Sequence, residues 1–490
     1  MAPIRSAAVI GSGISGVTSA AHLLRHGIEV VVFERSNVAG GVWHFDPRPD
    51  RDPEYPGEQG RTRKGTEPDI ALSHAPPGPC YEGLMNNVPT SMMRSTLLNW
   101  PEGTPNHVTH HEIEAYVQRL SRETGAHDVT LFDTRVEEAI KIGDKWSVRT
   151  KTLHLNNDQP QDFTTEEKEW TFDAVVVAAG HYHVPLIPDI PGLSEWKSKY
   201  PDKVMHSKSY RYPMTFKDKN VFIIGAGVSS LDIAKELDGI ANKVYQSSRG
   251  GQFDLDPGFL PANSERVGGL TAFRLDEGKA LDGSETPGAP IPGTIHLKDG
   301  RILSDIHHVI VASGYQTTYP FLKGLESDNI PVDDADEKII ITADKCVTHN
   351  LHKDIFYIPD PTLTFVGVPY YTSTFSMFDF QAEVVARVYA GLTALPSEDA
   401  MKAQYAARKA KGEKGKAFHS LIRNQVSYMN EVLSWVNDGV EEKGGKKMRG
   451  VDDAWYRAYE EFKETSRRLI PEGSNQIQQP IASKYYQADK

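Results

Sequence analysis

Cysteine is nearly absent: Cys80 and Cys346 are the only two in 490 residues. That scarcity excludes a disulfide framework. With no Cys or His spacing of the metal-binding kind beside them, it also gives no reason to expect a metal site, so both thiols read as bystanders in a reducing compartment. An excess of basic residues is missing too. The formal net charge of −12 is the wrong sign for a nucleic-acid or anionic-membrane partner. No apolar run approaches the ~18 residues of a membrane span. A strand is predicted within the first few residues, leaving no room for a signal peptide, and the polar tail carries no readable address. The expectation is a cytoplasmic protein with neither nucleic acid nor membrane as a partner.

What the chain does have is one design used twice. Residues 7–24 read AAVIGSGISGVTSAAHLL and residues 221–234 read VFIIGAGVSSLDIA, each an apolar run that breaks at a glycine turn and continues into helix formers. In the first copy Gly11 would make the tight turn, Gly13 would admit a pyrophosphate to the backbone, and Gly16 would let helix and strand pack closely. The helix that follows points its positive end at the phosphates. A second apolar run, IEVVVFE, ends in Glu34, whose carboxylate suits a ribose 2′-OH and would repel a 2′-phosphate. The second copy keeps Gly225 and Gly227 and places Ser230, still small, at the third position. Where the acid would stand, it has Ser248 and Arg249. Arginine suits a 2′-phosphate through charge-assisted bonds, so the second site is assigned to NADPH and the first to the adenosine half of FAD.

The rest of the chain fits an α/β fold of two Rossmann-like dinucleotide-binding domains, each carrying an inserted antiparallel meander or hairpin. The predicted division is 1–207 for the first part of the FAD domain, 208–325 for an inserted NADPH domain, and 326–490 for the remainder with C-terminal helices. Residues 46–79, dense in Pro, Gly and charge, read as a long surface loop. THHEIEAYVQRLSRETG reads as a helix with Thr109 and Glu112 at capping-box spacing, which makes His110 and His111 first-turn residues. Alternation from Val136 to Asp173 predicts a three-stranded meander, and Asp299–Gly300 a hairpin. Residues 401–470 are helix-prone and are expected to pack on the FAD domain or on a partner subunit, leaving a homodimer open. Nothing in them specifies a substrate.

The ordered motifs GSGISG with Glu34, GGVW (Gly40, Gly41, Trp43), YEGLMNNVP, VMHSKSY, GAGVSS, ASGY, PTLTFVGVP and FSMFDFQAE resemble those of the flavin-containing monooxygenases, part of the class B flavoprotein monooxygenases. The family's identifying segment has the form Phe-x-Gly-x-x-x-His-x-x-x-Tyr/Phe. Here it reads YPDKVMHSKSY: His206 and Tyr210 are kept, while Tyr200 and Asp202 replace Phe and Gly. Related Baeyer-Villiger enzymes usually carry Trp where Tyr210 stands, so the sequence leans toward heteroatom oxygenation. The resemblance implies that NADPH reduces FAD, that O2 adds to give a C4a-hydroperoxide, and that the distal oxygen passes to a soft nitrogen or sulfur of a small molecule. Asn87, with Asn86 where the family usually has Thr, would act at the flavin as the catalytic residue. Ser15, Gly41, Val42, Trp43, Val136 and Gln381 would contact the flavin nucleotide. His206 would orient a domain-joining loop, and Tyr370, Tyr371 and Phe375 read either as lining of the flavin's far side or as core. A Baeyer-Villiger enzyme, an amine N-hydroxylase and an uncoupled NADPH oxidase remain alternatives.

Overall fold

The computed structural model describes residues 4–56, 70–155, 163–276, 288–422, 424–441 and 445–468. The apolar run before the first glycine turn forms the strand Ser6–Ile10, which pairs in parallel with Glu29–Phe33 on one side and Ala174–Val177 on the other. These belong to a seven-stranded sheet that also holds Leu363–Phe365 and Thr130–Leu131. The alternation of a strand splits this run between two cores. Ala7 and Val9 pack with Val17, Ala20 and Leu23 of the helix Ile14–Arg25, while Ala8 and Ile10 pack with Val136, Trp146, Val148 and Phe172 of the meander. Both faces are covered, so the strand reads as continuously apolar. The meander is the antiparallel set Thr134–Ile142, Lys145–Leu155 and Phe163–Phe172.

The second run forms Asn220–Ile224, flanked in parallel by Lys243–Ser247 and His308–Val311. Its five-stranded sheet ends in Ser264–Val267 on one edge and Val204–His206 on the other. The hairpin at Asp299–Gly300 belongs to a three-stranded sheet with Leu270–Leu275. Here the expected division at residue 208 shifts. Val204–His206 is already a strand of the second sheet, and Leu193, Trp196 and Val204 share a core with Phe222 and Val309. At the other end Phe321 and Leu322 already pack in the meander core, ahead of the expected return at residue 326. The crossing is made by a two-stranded ribbon, Val184–Pro185 against Tyr315–Gln316.

Where they are described, residues 46–79 form the expected loop, largely exposed over 47–56 and broken by one short helix, Ile70–His74, but the loop is pinned to the second unit. Asp52 accepts from Lys197 at 2.6 Å, Asp50 pairs with the buried Lys208, and Tyr55 enters the second core. Arg211 donates to the carbonyls of Asp46, Arg48 and Gly78. The charge that suggested solvent instead straps one unit to the other. The helices Gln425–Val436 and Asp453–Arg468 send Met429, Val432, Trp455 and Phe462 into the first core beside the helix Thr374–Tyr389. Of the two placements expected for residues 401–470, these helices take the first unit. Among the described residues no helix is long and apolar enough to cross a membrane.

Candidate functional site

Both glycine turns open onto one cavity of about 1530 Å³, well above the roughly 300–1,000 Å³ of a drug-sized pocket. Gly11 holds φ +104°, and a Cβ there would sit 2.6 Å from the Ala178 carbonyl oxygen; at Gly16 it would meet the Gly11 carbonyl oxygen at 1.8 Å. Gly11 is therefore fixed by backbone conformation and Gly16 by helix-to-turn contact. Gly13 differs, since a Cβ there would come no nearer than 3.5 Å to Gly41, so its missing side chain leaves cavity space. The Glu34 carboxylate is buried at the end of its strand. It accepts from Ser12 N–H at 2.7 Å and from Ser36 N–H and Oγ at 2.9 Å. Those bonds orient it toward the cavity that it lines.

The second turn repeats this geometry with one change. Gly225 has φ +114° with a Cβ position 2.5 Å from the Ala312 carbonyl oxygen, whereas nothing lies within 4 Å of a Cβ on Gly227. Ser230 at the third position is buried. It donates to the Gly227 carbonyl at 2.8 Å and accepts from Gln246 at 2.9 Å, tying turn, helix and strand together without lining the cavity. Arg249 stands exposed on the cavity rim. Ser248 does not face the cavity: its hydroxyl donates to Asp254 and accepts from Gly250 N–H at 2.9 Å, shaping the loop that carries Arg249. Lys298, which sequence reasoning missed, also lines the cavity; a Cβ on Gly269 would lie 3.3 Å from its Cδ and 3.7 Å from Arg249 Cγ. Its signal was only one more charge in a hairpin.

Of the other residues singled out, Ser15, Gly41, Val42, Trp43, Asn87 and Val136 line the cavity, as do Tyr370, Tyr371 and Phe375. Asn86 and Asn87 part company. Asn86 is buried and spends its amide on the carbonyls of Val88 and Asn106 and on Val108 N–H, at 2.6–2.8 Å. The neighbouring Asn87 lines the cavity. Gln381 and His206 are buried behind the wall. Gln381 accepts from Gly367 N–H at 3.1 Å, supporting a turn at φ +103° that packs against Ser15. His206 donates from Nε2 to the Gly314 carbonyl and accepts at Nδ1 from Lys208 N–H, both at 3.1 Å. Burial holds its pKa at about 4, so it is neutral near pH 7, and its place is in the crossing between units. Arg35, beside Glu34, was also missed. It donates to His183 Nδ1 at 2.8 Å while lining the cavity.

This donor set suits two dinucleotides. Each turn leaves backbone N–H groups and space for a pyrophosphate, one strand ends in a carboxylate, and the other leads into a loop carrying a guanidinium. Residues 74–257 and 293–441 match the family described as flavin-binding monooxygenase-like, and residues 9–59 match an NAD(P)-binding Rossmann-like domain. The flavin-containing monooxygenase ustF2 of Aspergillus flavus is 42% identical over 489 residues, covering 94% of this chain and 98% of that protein. The flavin-containing monooxygenase ustF1 of the same organism is 34% identical over 488 residues, covering 99% and 96%. The structure of S-allyl-L-cysteine S-oxygenase from Allium sativum shares the fold, with a TM-score of 0.69 at 24% identity over 99% of this chain and 98% of that one. A flavin-binding and an NAD(P)-binding match on one chain give FAD and NADPH as its cofactors. With the family match covering more than half of its length and a relative 42% identical nearly end to end, this chain belongs to the flavin-binding monooxygenase-like family.

Proposed function

We propose that this monooxygenase consumes NADPH and O2 and transfers one oxygen atom to a soft nitrogen or sulfur of a small molecule, the second oxygen leaving as water. The observation that carries the reading is the pair of unlike cradles on one cavity, Glu34 at the end of one and Arg249 at the rim of the other. Glu34 would accept from the FAD ribose, and Arg249 would pair with the NADPH 2′-phosphate. NADPH held at the second turn would supply the reducing equivalents, and FAD held at the first would supply the oxygen chemistry that the resemblance implies. The protein's own task is to bind, orient and keep water out. The Asn87 amide, able to donate and to accept, holds the reacting groups in register. Neither a proton from His206 nor a protein nucleophile is needed in this scheme.

The test is a coupling ratio. Purified enzyme loaded with FAD is given NADPH and a panel of sulfides and amines, and oxygenated product and hydrogen peroxide are counted against NADPH consumed. The reading expects product to approach one per NADPH with its substrate class, and Asn87→Ala to divert most of the flux to peroxide while NADPH still reduces the flavin. NADPH consumption unchanged by every substrate, with peroxide accounting for all of it, would make the chain an NADPH oxidase.

A further inference from the structure

One wall of the cavity is built by neither glycine turn. It carries Lys416, from the short turn Gly415–Ala417 between two C-terminal helices. The Lys416 ammonium lies 5.5 Å from the centre of the Tyr370 ring and 3.3 Å from where a Cβ on Gly314 would stand. The Tyr370 ring in turn packs on His181 at 4.3 Å. Among the described residues Lys416 makes no ion pair or hydrogen bond; burial pulls its ammonium down, and Cys346 is the one group whose charge would oppose that fall. That thiol is itself pushed up by burial and stays protonated, and burial holds His181 neutral, with its pKa at about 3. An ammonium set among aromatic rings with no carboxylate partner is costly unless a ligand supplies the anion.

The turn that presents it is held rigidly. Arg408 donates to both oxygens of the buried Asp354 at 2.6 and 3.0 Å and to the Phe418 carbonyl. His419 binds the same carboxylate at 2.9 Å. The Tyr370 N–H donates to the His419 carbonyl at 3.0 Å, and Leu421 N–H donates to the Tyr370 carbonyl at 3.0 Å. The segment carrying Lys416 is therefore stitched to the segment carrying Tyr370, which bridges in parallel to Ser420. Preorganisation of this kind lowers the cost of ligand binding.

We propose that Lys416 is the anion-recognising residue of the substrate subsite, and that the nucleophile oxidised by this enzyme carries a carboxylate, which the ammonium pairs with while the Tyr370 and His181 rings hold the apolar part. The inference rests on reading the cavity as the oxygenation site. The dinucleotide phosphates are the other anions on offer, but the glycine turns and helix N-termini already provide for them.

The experiment uses enzyme loaded with FAD and NADP+, titrated with 4-(methylthio)benzoate, its methyl ester and methyl phenyl sulfide, with binding read from the flavin absorption spectrum. Wild type is expected to bind the carboxylate at least about tenfold more tightly than the two neutral sulfides, the scale of one hydrogen bond to a charged group. Lys416→Met should remove that preference and leave the neutral probes within about twofold. Lys416→Arg should restore most of it, and neither variant should weaken NADP+. Equal wild-type affinity for acid and ester, or no binding of the acid, overturns the proposal even if the variants fail to fold. So does a tenfold loss of NADP+ affinity in Lys416→Met, which would assign the lysine to the dinucleotide. Sulfoxide formation, followed in the same samples, bears on oxygenation alone, so acid-selective binding without product would leave Lys416 standing and sink the proposed reaction.

Discussion

Gly16 and Gly227 both serve glycine turns, yet physics asks different things of them. A methyl group on Gly16 collides with the Gly11 carbonyl, while one on Gly227 enters open cavity. Gly16→Ala should therefore disturb the turn itself and yield protein with little bound flavin. Gly227→Ala should keep the wild-type thermal midpoint and flavin content but raise the NADPH KM by about tenfold, because its methyl takes the space where the pyrophosphate approaches. A wild-type NADPH KM in Gly227→Ala would count against the second cradle. Arg249→Ala removes a charge-assisted contact of about 1.5–3 kcal/mol, so kcat/KM for NADPH should fall by roughly ten- to hundredfold and that for NADH should hardly move. Equal losses with both nucleotides would show that the arginine does not read the 2′-phosphate. These residues were legible because a pyrophosphate and a ribose each demand a residue type at a set distance from a strand. Ser248 and Gln381 were legible as positions in a motif, but their side chains accept from the backbone N–H groups of Gly250 and Gly367, and no residue type announces that.

At the scale of elements, the strap formed by residues 46–56 is where sequence reading fell short. Its prolines and charges look like a solvated loop, and only the fold reveals that its carboxylates meet Lys197 and Lys208 across the two units. Lys208 is 2% exposed and its ammonium is pulled down by burial, with Asp50 opposing that fall. Removing the acid would leave a buried charge unanswered. Asp50→Ala should lower stability by about 3 kcal/mol, and adding Lys208→Met should recover much of it. Denaturant midpoints of the two single variants and the double variant measure this, and strictly additive losses would show that the pair is not coupled. The turn around Lys416 escaped for a related reason. Lys416 sits in a stretch of alternating lysine, glycine and glutamate whose composition is that of ordinary surface, and only its tether to Asp354 through Arg408 aims it inward. The capping box at Thr109 and the meander at Val136 were readable because their information is local, within a turn or an alternation.

Over the whole molecule, two largely parallel sheets with inserted antiparallel sheets were legible from the repeated run-turn-helix pattern, though not the antiparallel edge Leu351–His352 and Phe356–Tyr357 of the first. The crossing between them was not, since Val204–His206 is a three-residue strand whose partner lies a hundred residues away. The fold also keeps several histidines neutral, His206 and His352 buried and His308 half-buried. His206, His308 and His352 are each held by burial at about 4, against an ordinary value of 6.5. As pH falls below about 6.5 the unfolded chain takes up protons that the folded chain refuses, so their contribution is full above that value and is lost toward pH 4. Each histidine accounts for up to about 3 kcal/mol. The denaturant midpoint should fall steadily between about pH 7 and pH 5, and a flat profile would mean that these rings are not kept neutral.

The proposed reaction puts one atom of dioxygen on a soft nucleophile at the expense of NADPH. The direct measurement is the mass of the product formed from NADPH and a sulfide or amine under dioxygen labelled with the heavy oxygen isotope, in ordinary water. Each sulfoxide or N-oxygenated product should carry one labelled oxygen atom. Unlabelled product, or label recovered only in hydrogen peroxide, would contradict it.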